Sequence, residues 1–244
     1  MASDPPVLEM RGVVAGYGRL TILRGIDFVA QRGRLTTFIG ANGAGKSTVV
    51  KTVFGLVRPT AGEILFEGER IDGLSPRARM ERGIVFVPQG RNLFPRMTVR
   101  QNLELGGVVL RDAALRTRRM EATLERFPRL RERIEAQAST LSGGEQKQLE
   151  VGRALLLEPR LLLIDEPSIG LAPKIVADVF ALLRDLTDHG VTVLMVEQNV
   201  RSALRASHLA VALEQGRVAL EGPSDCVIED PRVRAMFLGG HVAA

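Results

Sequence analysis

Tryptophan is missing from this 244-residue chain, and tyrosine and cysteine occur once each, as Tyr17 and Cys226. A single thiol excludes an intramolecular disulfide and any Cys-rich metal site. The histidines (His189, His208, His241) are too scattered in sequence to suggest a metal cluster. No run approaches the roughly 18 apolar residues of a membrane span. The opening Met1–Pro6 has neither a basic nor an apolar region, so it does not read as a secretory signal, and a cytoplasmic chain is expected. Few aromatics also leave few platforms for stacking single-stranded bases. That weighs against a nucleic-acid partner, although the formal charge is +5 and the pI near 10.1. Lysine is scarce too, at four of 33 basic residues. The arginines crowd most densely between Arg111 and Arg133, where glutamates alternate with them at helical spacing. Mixed signs at that spacing predict a solvated helix face laced with i,i+4 pairs.

Against these absences stands one complete phosphate-binding loop, Gly40-Ala41-Asn42-Gly43-Ala44-Gly45-Lys46-Ser47-Thr48. The apolar, β-branched run Leu35–Ile39 before it predicts a buried strand, and Ser47–Leu56 after it has helical apolar spacing without proline. In that context the backbone N–H groups of the loop and the helix N-terminus can cradle a di- or triphosphate. Lys46 is then placed to reach the β- and γ-phosphates, and the Ser47 hydroxyl to ligate Mg²⁺.

Other candidate strands in the first ninety residues are Val7–Val14, Ile26–Ala30, Glu63–Phe66 and Ile84–Val87. Residues 98 to 135 turn charged and helical. From Ser142 onward helix and strand alternate: a helix at Ser142–Leu157, a strand at Leu161–Ile164, a helix at Ile175–His189 closed by Gly190, and a strand at Val191–Val196. Strands Leu209–Leu213 and Val218–Leu220 frame a hairpin at Gln215-Gly216. The pattern predicts a parallel α/β core interrupted by a helical insertion.

Two further motifs carry chemistry. Leu161–Ile164 runs into Asp165-Glu166-Pro167, and carboxylates at the C-terminal end of a buried strand face the ligand crevice of such a sheet. Asp165 is a candidate Mg²⁺ holder, and Glu166 a candidate base for the attacking water. Leu141-Ser142-Gly143-Gly144-Glu145-Gln146 begins a helix with a good N-cap and then two glycines, residues suited to exposed N–H groups rather than to helical stability. A second anion site without a second phosphate loop implies that both act on one nucleotide from different copies.

These motifs, with Gln89, resemble in order and spacing the ATPase subunit of ABC transporters over essentially the whole chain. The resemblance implies a P-loop NTPase (RecA-like) α/β core at 1–90 and 159–244, with an N-terminal antiparallel β subdomain. A helical subdomain at 91–158 would carry the signature run and dock membrane subunits. It implies that Tyr17 stacks on adenine, and that Gln89 links Mg²⁺ and the attacking water to the membrane subunit. Ser142, Gly143 and Gly144 would meet the γ-phosphate held by the opposite subunit.

Two departures narrow it. Family members usually carry aspartate where Ala172 stands and histidine where Gln198 stands. With Val87–Pro95 and Ser168–Lys174, they resemble one of the two ATPase subunits of branched-chain amino acid importers. That implies ATP and Mg²⁺ as cofactors, and a second, different ATPase subunit, although a homodimer stays open. Two permeases and, indirectly, a periplasmic binding protein complete the expected partners, on the cytoplasmic side of the inner membrane. Gln198 can still hydrogen-bond a γ-phosphate but cannot become cationic. Other readings remain open here: a subunit that closes on ATP but barely hydrolyses it, and a soluble ATPase acting on DNA or ribosomes. Another solute, such as a different hydrophobic amino acid or an amide, is also left open, whereas related lipopolysaccharide exporters share the core motifs but differ in the stretch after Pro167.

Overall fold

The computed structural model describes residues 5–90 and 92–233. Two sheets form the frame. The first is antiparallel, in the order β2-β1-β4-β5, built from β1 (Leu8–Tyr17), β2 (Leu20–Ala30), β4 (Pro59–Phe66) and β5 (Glu69–Arg70). The second has the order β10-β9-β3-β8-β7-β6. It comprises β3 (Leu35–Gly40), β6 (Ile84–Val87), β7 (Leu161–Asp165), β8 (Thr192–Val196), β9 (Leu209–Glu214) and β10 (Arg217–Pro223). All its pairings are parallel except that of β10 with β9.

Every residue of β3, β7 and β8 is buried, as a parallel sheet covered on both faces requires. One face packs on α1 (Lys46–Phe54) through Val49, Val50 and Val53, which join Phe38, Leu163 and Leu194 in one apolar cluster. α2 (Pro76–Glu81) flanks α1. The other face packs on α6 (Gly143–Leu155) and α7 (Pro173–Asp188). Between β6 and α6 lie α3 (Val99–Gly106), α4 (Ala113–Arg126) and α5 (Pro128–Glu132). The chain then closes with α8 (Val200–Ala206) and α9 (Ser224–Glu229).

The expected strands and long helices are present, with differences that have physical causes. β2 begins at Leu20, six residues before its apolar stretch, because Tyr17 pairs with Leu20 across a tight hairpin and carries the pairing outward. The short helices α2, α8 and α9 lack a periodic apolar signal of useful length. Local caps start two of them, through Ser75 for α2 and Asn199 for α8.

Arg79 on α2 is fully buried and closes the C-terminal end of α1, donating to the carbonyls of Thr52 (2.7 Å) and Val53 (2.8 Å). It also donates to Asp72 and Leu74 carbonyls, and burial pulls its pKa down to about 10. A cation there suits the negative end of the helix dipole.

The arginine-rich stretch corrects the expected i,i+4 pairing. Arg119 reaches Glu158, Arg126 reaches Asp185 and Arg131 reaches Glu121, while Arg129–Glu132 is an i,i+3 pair. Most of these pairs tie α4 and α5 to neighbouring elements rather than decorating one helix.

Candidate nucleotide-hydrolysis site

β3 delivers the chain to the phosphate loop at a point where only glycine fits. Gly40 has φ +156°, and a Cβ there would lie 2.5 Å from the Leu213 carbonyl oxygen. The loop turns through Asn42 and Gly43, both exposed, and enters α1 at Gly45. Lys46 is buried, with its ammonium donating to the carbonyls of Gly40 (2.8 Å) and Ala41 (3.1 Å). Burial lowers its pKa, and the carboxylates of Glu166, Asp165 and Glu197 oppose that shift. Thr48 is buried one residue beyond Ser47.

Ser47 Oγ donates to Asp165 Oδ1 across 3.0 Å, joining the helix start to the end of β7. Burial raises the Asp165 pKa, and the Ser47 hydrogen bond partly offsets it. A buried carboxylate beside a hydroxyl is an all-oxygen donor pair that a hard divalent cation would relieve of its desolvation cost. Among the described residues no three His, Cys, Asp or Glu side chains cluster as a metal site. Few protein ligands, with water and substrate phosphates completing the shell, is the pattern of Mg²⁺. The residues fit that ion.

Glu166 follows with φ +48°, a left-handed backbone held by its own N–H bonding the Val196 carbonyl at 2.9 Å. The turn brings two amides onto one carboxylate: Gln89 Nε2 donates to Oε2 at 2.7 Å and Gln198 Nε2 to Oε1 at 2.6 Å. Residues 89, 166 and 198 come from the ends of β6, β7 and β8, which are adjacent in the sheet.

Sequence reasoning passed over Glu197. Its side chain is buried at 1% exposure and accepts the N–H groups of Ser168, Gln198 and Asn199 at 2.8, 2.9 and 3.1 Å. It thereby fixes the turn after β7 to the turn after β8. The available signal was an acid directly after a buried, largely apolar strand, close to the signal that marked Asp165.

Two predicted groups stand apart from this cluster. Tyr17 is 49% exposed at the tip of the β1–β2 hairpin. The following Leu20–Ile22 share an open cavity of about 810 Å³ with Gly43 of the loop. Ser142, Gly143 and Gly144 lie at the start of α6 and share no hydrogen bond with residues 40–48 among the described residues. Helical stability is built into that start after all, contrary to the sequence expectation. Ser142 and Glu145 form a complete capping box, with Glu145 Oε2 accepting both the N–H and the hydroxyl of Ser142 at 2.8 Å. Ser142 is exposed, as is Gly143, while Gly144 packs near Ile175.

A phosphate loop, a serine–aspartate pair and a braced glutamate at the strand ends together define a phosphate-loop nucleotide hydrolase. The sequence profile of the ABC transporter family matches residues 23–169. The chain is 43% identical over 234 residues to the high-affinity branched-chain amino acid transport ATP-binding protein BraG of Pseudomonas aeruginosa, covering 96% of this chain and 100% of that one. It is 31% identical to the lipopolysaccharide export ATP-binding protein LptB of Haemophilus influenzae, over 96% of this chain and 97% of that one. Among solved structures, the ADP conformation of MJ1267, an ATP-binding cassette of an ABC transporter, superposes with a TM-score of 0.88 at 27% identity, covering 97% of this chain and 100% of that one.

The chain belongs to the ABC transporter family, as an ATP-binding subunit that hydrolyses ATP. Its architecture is the ABC ATPase fold, an antiparallel β subdomain beside a mixed sheet with helices. No helix among the described residues is long and apolar enough to cross a membrane.

Proposed function

We propose that this subunit powers the import of branched-chain or other hydrophobic amino acids from the cytoplasmic face of the inner membrane. The observation that carries the reading is the 43% identity to BraG over 96% of this chain and 100% of that one, against 31% to LptB. In this reading it pairs with a second, different ATPase subunit and docks two permeases through residues 91–158. A periplasmic binding protein supplies the solute.

The phosphate-loop N–H groups, with Gly40, Asn42, Gly43, Gly45 and Thr48 shaping the loop, hold the ATP phosphates. Lys46 exchanges its two carbonyl partners for phosphate oxygens. Ser47, Asp165 and Gln89 would hold Mg²⁺, which when bound would supply charge neutralisation for the β- and γ-phosphates. Glu166 takes a proton from the attacking water. Each of its oxygens accepts one amide N–H, which leaves lone pairs for that proton while fixing the carboxylate. Tyr17 stacks on adenine. Ser142, Gly143 and Gly144 of each subunit close over the γ-phosphate held by the other.

The test is uptake of radiolabelled leucine by cells lacking this gene, complemented with the wild type or with Glu166→Gln. Uptake restored by the wild type alone supports the reading. Uptake unchanged by the deletion, or a lipopolysaccharide defect in its place, overturns it.

A further inference from the structure

A large concavity lies at the other end of the core sheet from the phosphate loop. It encloses about 820 Å³, within the range of small-molecule sites, and opens to solvent. Arg184 of α7, Arg201 and Arg205 of α8, and His208 just before β9 line it. β3 runs six residues from this end to the phosphate loop, about 20 Å at the usual strand rise. The cavity is therefore separate from the nucleotide.

Arg201 and Arg205 are an i,i+4 pair on one face of α8, both exposed and neither in a salt bridge or side-chain hydrogen bond among the described residues. Arg184 donates one N–H to the Ala206 carbonyl at 3.0 Å, which fixes the guanidinium and leaves its other donors without a partner among the described residues. Placing unpaired cations together in a concavity costs Coulomb energy that an anion would return.

His208 adds a directed donor. Its Nδ1 accepts the Leu35 N–H at 3.0 Å, so in the neutral ring the proton sits on Nε2. Burial and the nearby Arg184 and Arg34 lower the His208 pKa, with Asp188 opposing, so the local field is positive. Ser224 is 97% buried in the lining, and its hydroxyl lacks a hydrogen-bond partner. Two acids also line the cavity and offset part of this charge: Asp225, which accepts the Cys226 N–H at 2.9 Å, and Glu229, which has an interaction of its own.

We propose that this cavity is a second binding site, for a small free oxyanion of the phosphate class, with Arg184, Arg201 and Arg205 as its cationic wall and His208 Nε2–H as a neutral donor. Guanidinium groups match phosphate oxygens in a paired, planar geometry that ammonium groups lack. The site is independent of the solute carried and of the chemistry at Glu166.

The experiment is calorimetric titration of the full chain with inorganic pyrophosphate at low ionic strength. The phosphate loop is first disabled by Lys46→Ala or, in a parallel arm, saturated with a non-hydrolysable ATP analogue. One equivalent of binding is expected in both arms. The double change Arg201→Ser/Arg205→Ser should weaken it at least tenfold, while Arg201→Lys/Arg205→Lys retains part of it. His208→Asn keeps an acceptor for Leu35 N–H but removes the Nε2 donor, and should weaken binding several-fold without lowering the melting temperature. Absence of binding in both arms, or binding indifferent to the arginines, overturns the site. Vesicles of phosphatidylglycerol and of phosphatidylcholine form the last arm. Arginine-dependent capture by the anionic vesicles without pyrophosphate binding overturns the free-ligand assignment in favour of a lipid headgroup.

Discussion

The side-chain amide of Gln198 donates to Glu166 Oε1 across 2.6 Å. Gln89 donates to the other oxygen of the same carboxylate at 2.7 Å. The glutamate is thus braced from both sides by neutral donors. An amide brace keeps one geometry through the neutral pH range, whereas an imidazole would change charge there.

Glu166→Gln should keep ATP binding and cut hydrolysis by roughly 10²–10⁴-fold, the usual worth of a general base. Gln198→Ala removes one of two braces and should cost roughly tenfold, about 1.4 kcal/mol. Steady-state phosphate release at saturating ATP in the assembled transporter compares them. Equal losses would make Gln198 as essential as the base.

Asp165→Asn should trade activity for stability. Burial raises the Asp165 pKa above its ordinary 3.8, so the nucleotide-free fold binds that proton more tightly than the unfolded chain does. That contribution is fully present below pH 3.8 and is lost as pH rises through the higher folded value. At pH 7 the asparagine variant should melt above the wild type, with the gap narrowing toward pH 4, while Mg²⁺-dependent hydrolysis disappears. Melting curves across that range without nucleotide check it; a pH-independent gap would count against buried charge as the cause.

Gly216→Ala should damage both fold and nucleotide site. Gly216 N–H bonds the Ala44 carbonyl of the phosphate loop at 3.0 Å, and its own carbonyl accepts Arg24 N–H at 2.8 Å. A Cβ there would sit 1.8 Å from the Ile22 carbonyl oxygen, at φ +79°. At least about 2 kcal/mol is expected, several degrees in melting temperature, with weaker ATP binding. Gln215→Gly, which relieves a left-handed residue at φ +47°, is the control and should stay near wild type.

Ala172→Asp should stabilise the chain. Ala172 is the N-cap of α7, with φ −66° and ψ 150°, and offers no side-chain acceptor to the first turn. A carboxylate there should add about 0.5–2 kcal/mol. Thermal melting of the isolated subunit measures it, and an unchanged or lower midpoint would refute the cap argument.

The phosphate loop, the buried strands and the acids at Asp165 and Glu166 were legible because each is a local pattern. A fully apolar strand followed by a carboxylate, or glycines before Lys46-Ser47, needs no knowledge of what packs alongside. The signature run at Ser142–Gly144 was legible as a helix start, but its capping box shows only in the structure, where the Glu145 side chain reaches back to Ser142. The short helices and the long β2 were not legible, because pairing and caps rather than periodicity hold them.

Sequence alone therefore determined the chemistry-bearing residues and the sheet's apolar strands, whose patterns lie within a few consecutive positions. Tertiary structure decided which of those residues meet. Gln89, Glu166 and Gln198 are 77 and 32 residues apart, yet they share one carboxylate because β6, β7 and β8 are neighbours. The same holds for Glu197 joining two turns, for Arg79 closing α1, and for three arginines and a histidine gathered at the far end of the sheet. Strand order and helix packing set those distances, and no local run of residues encodes strand order.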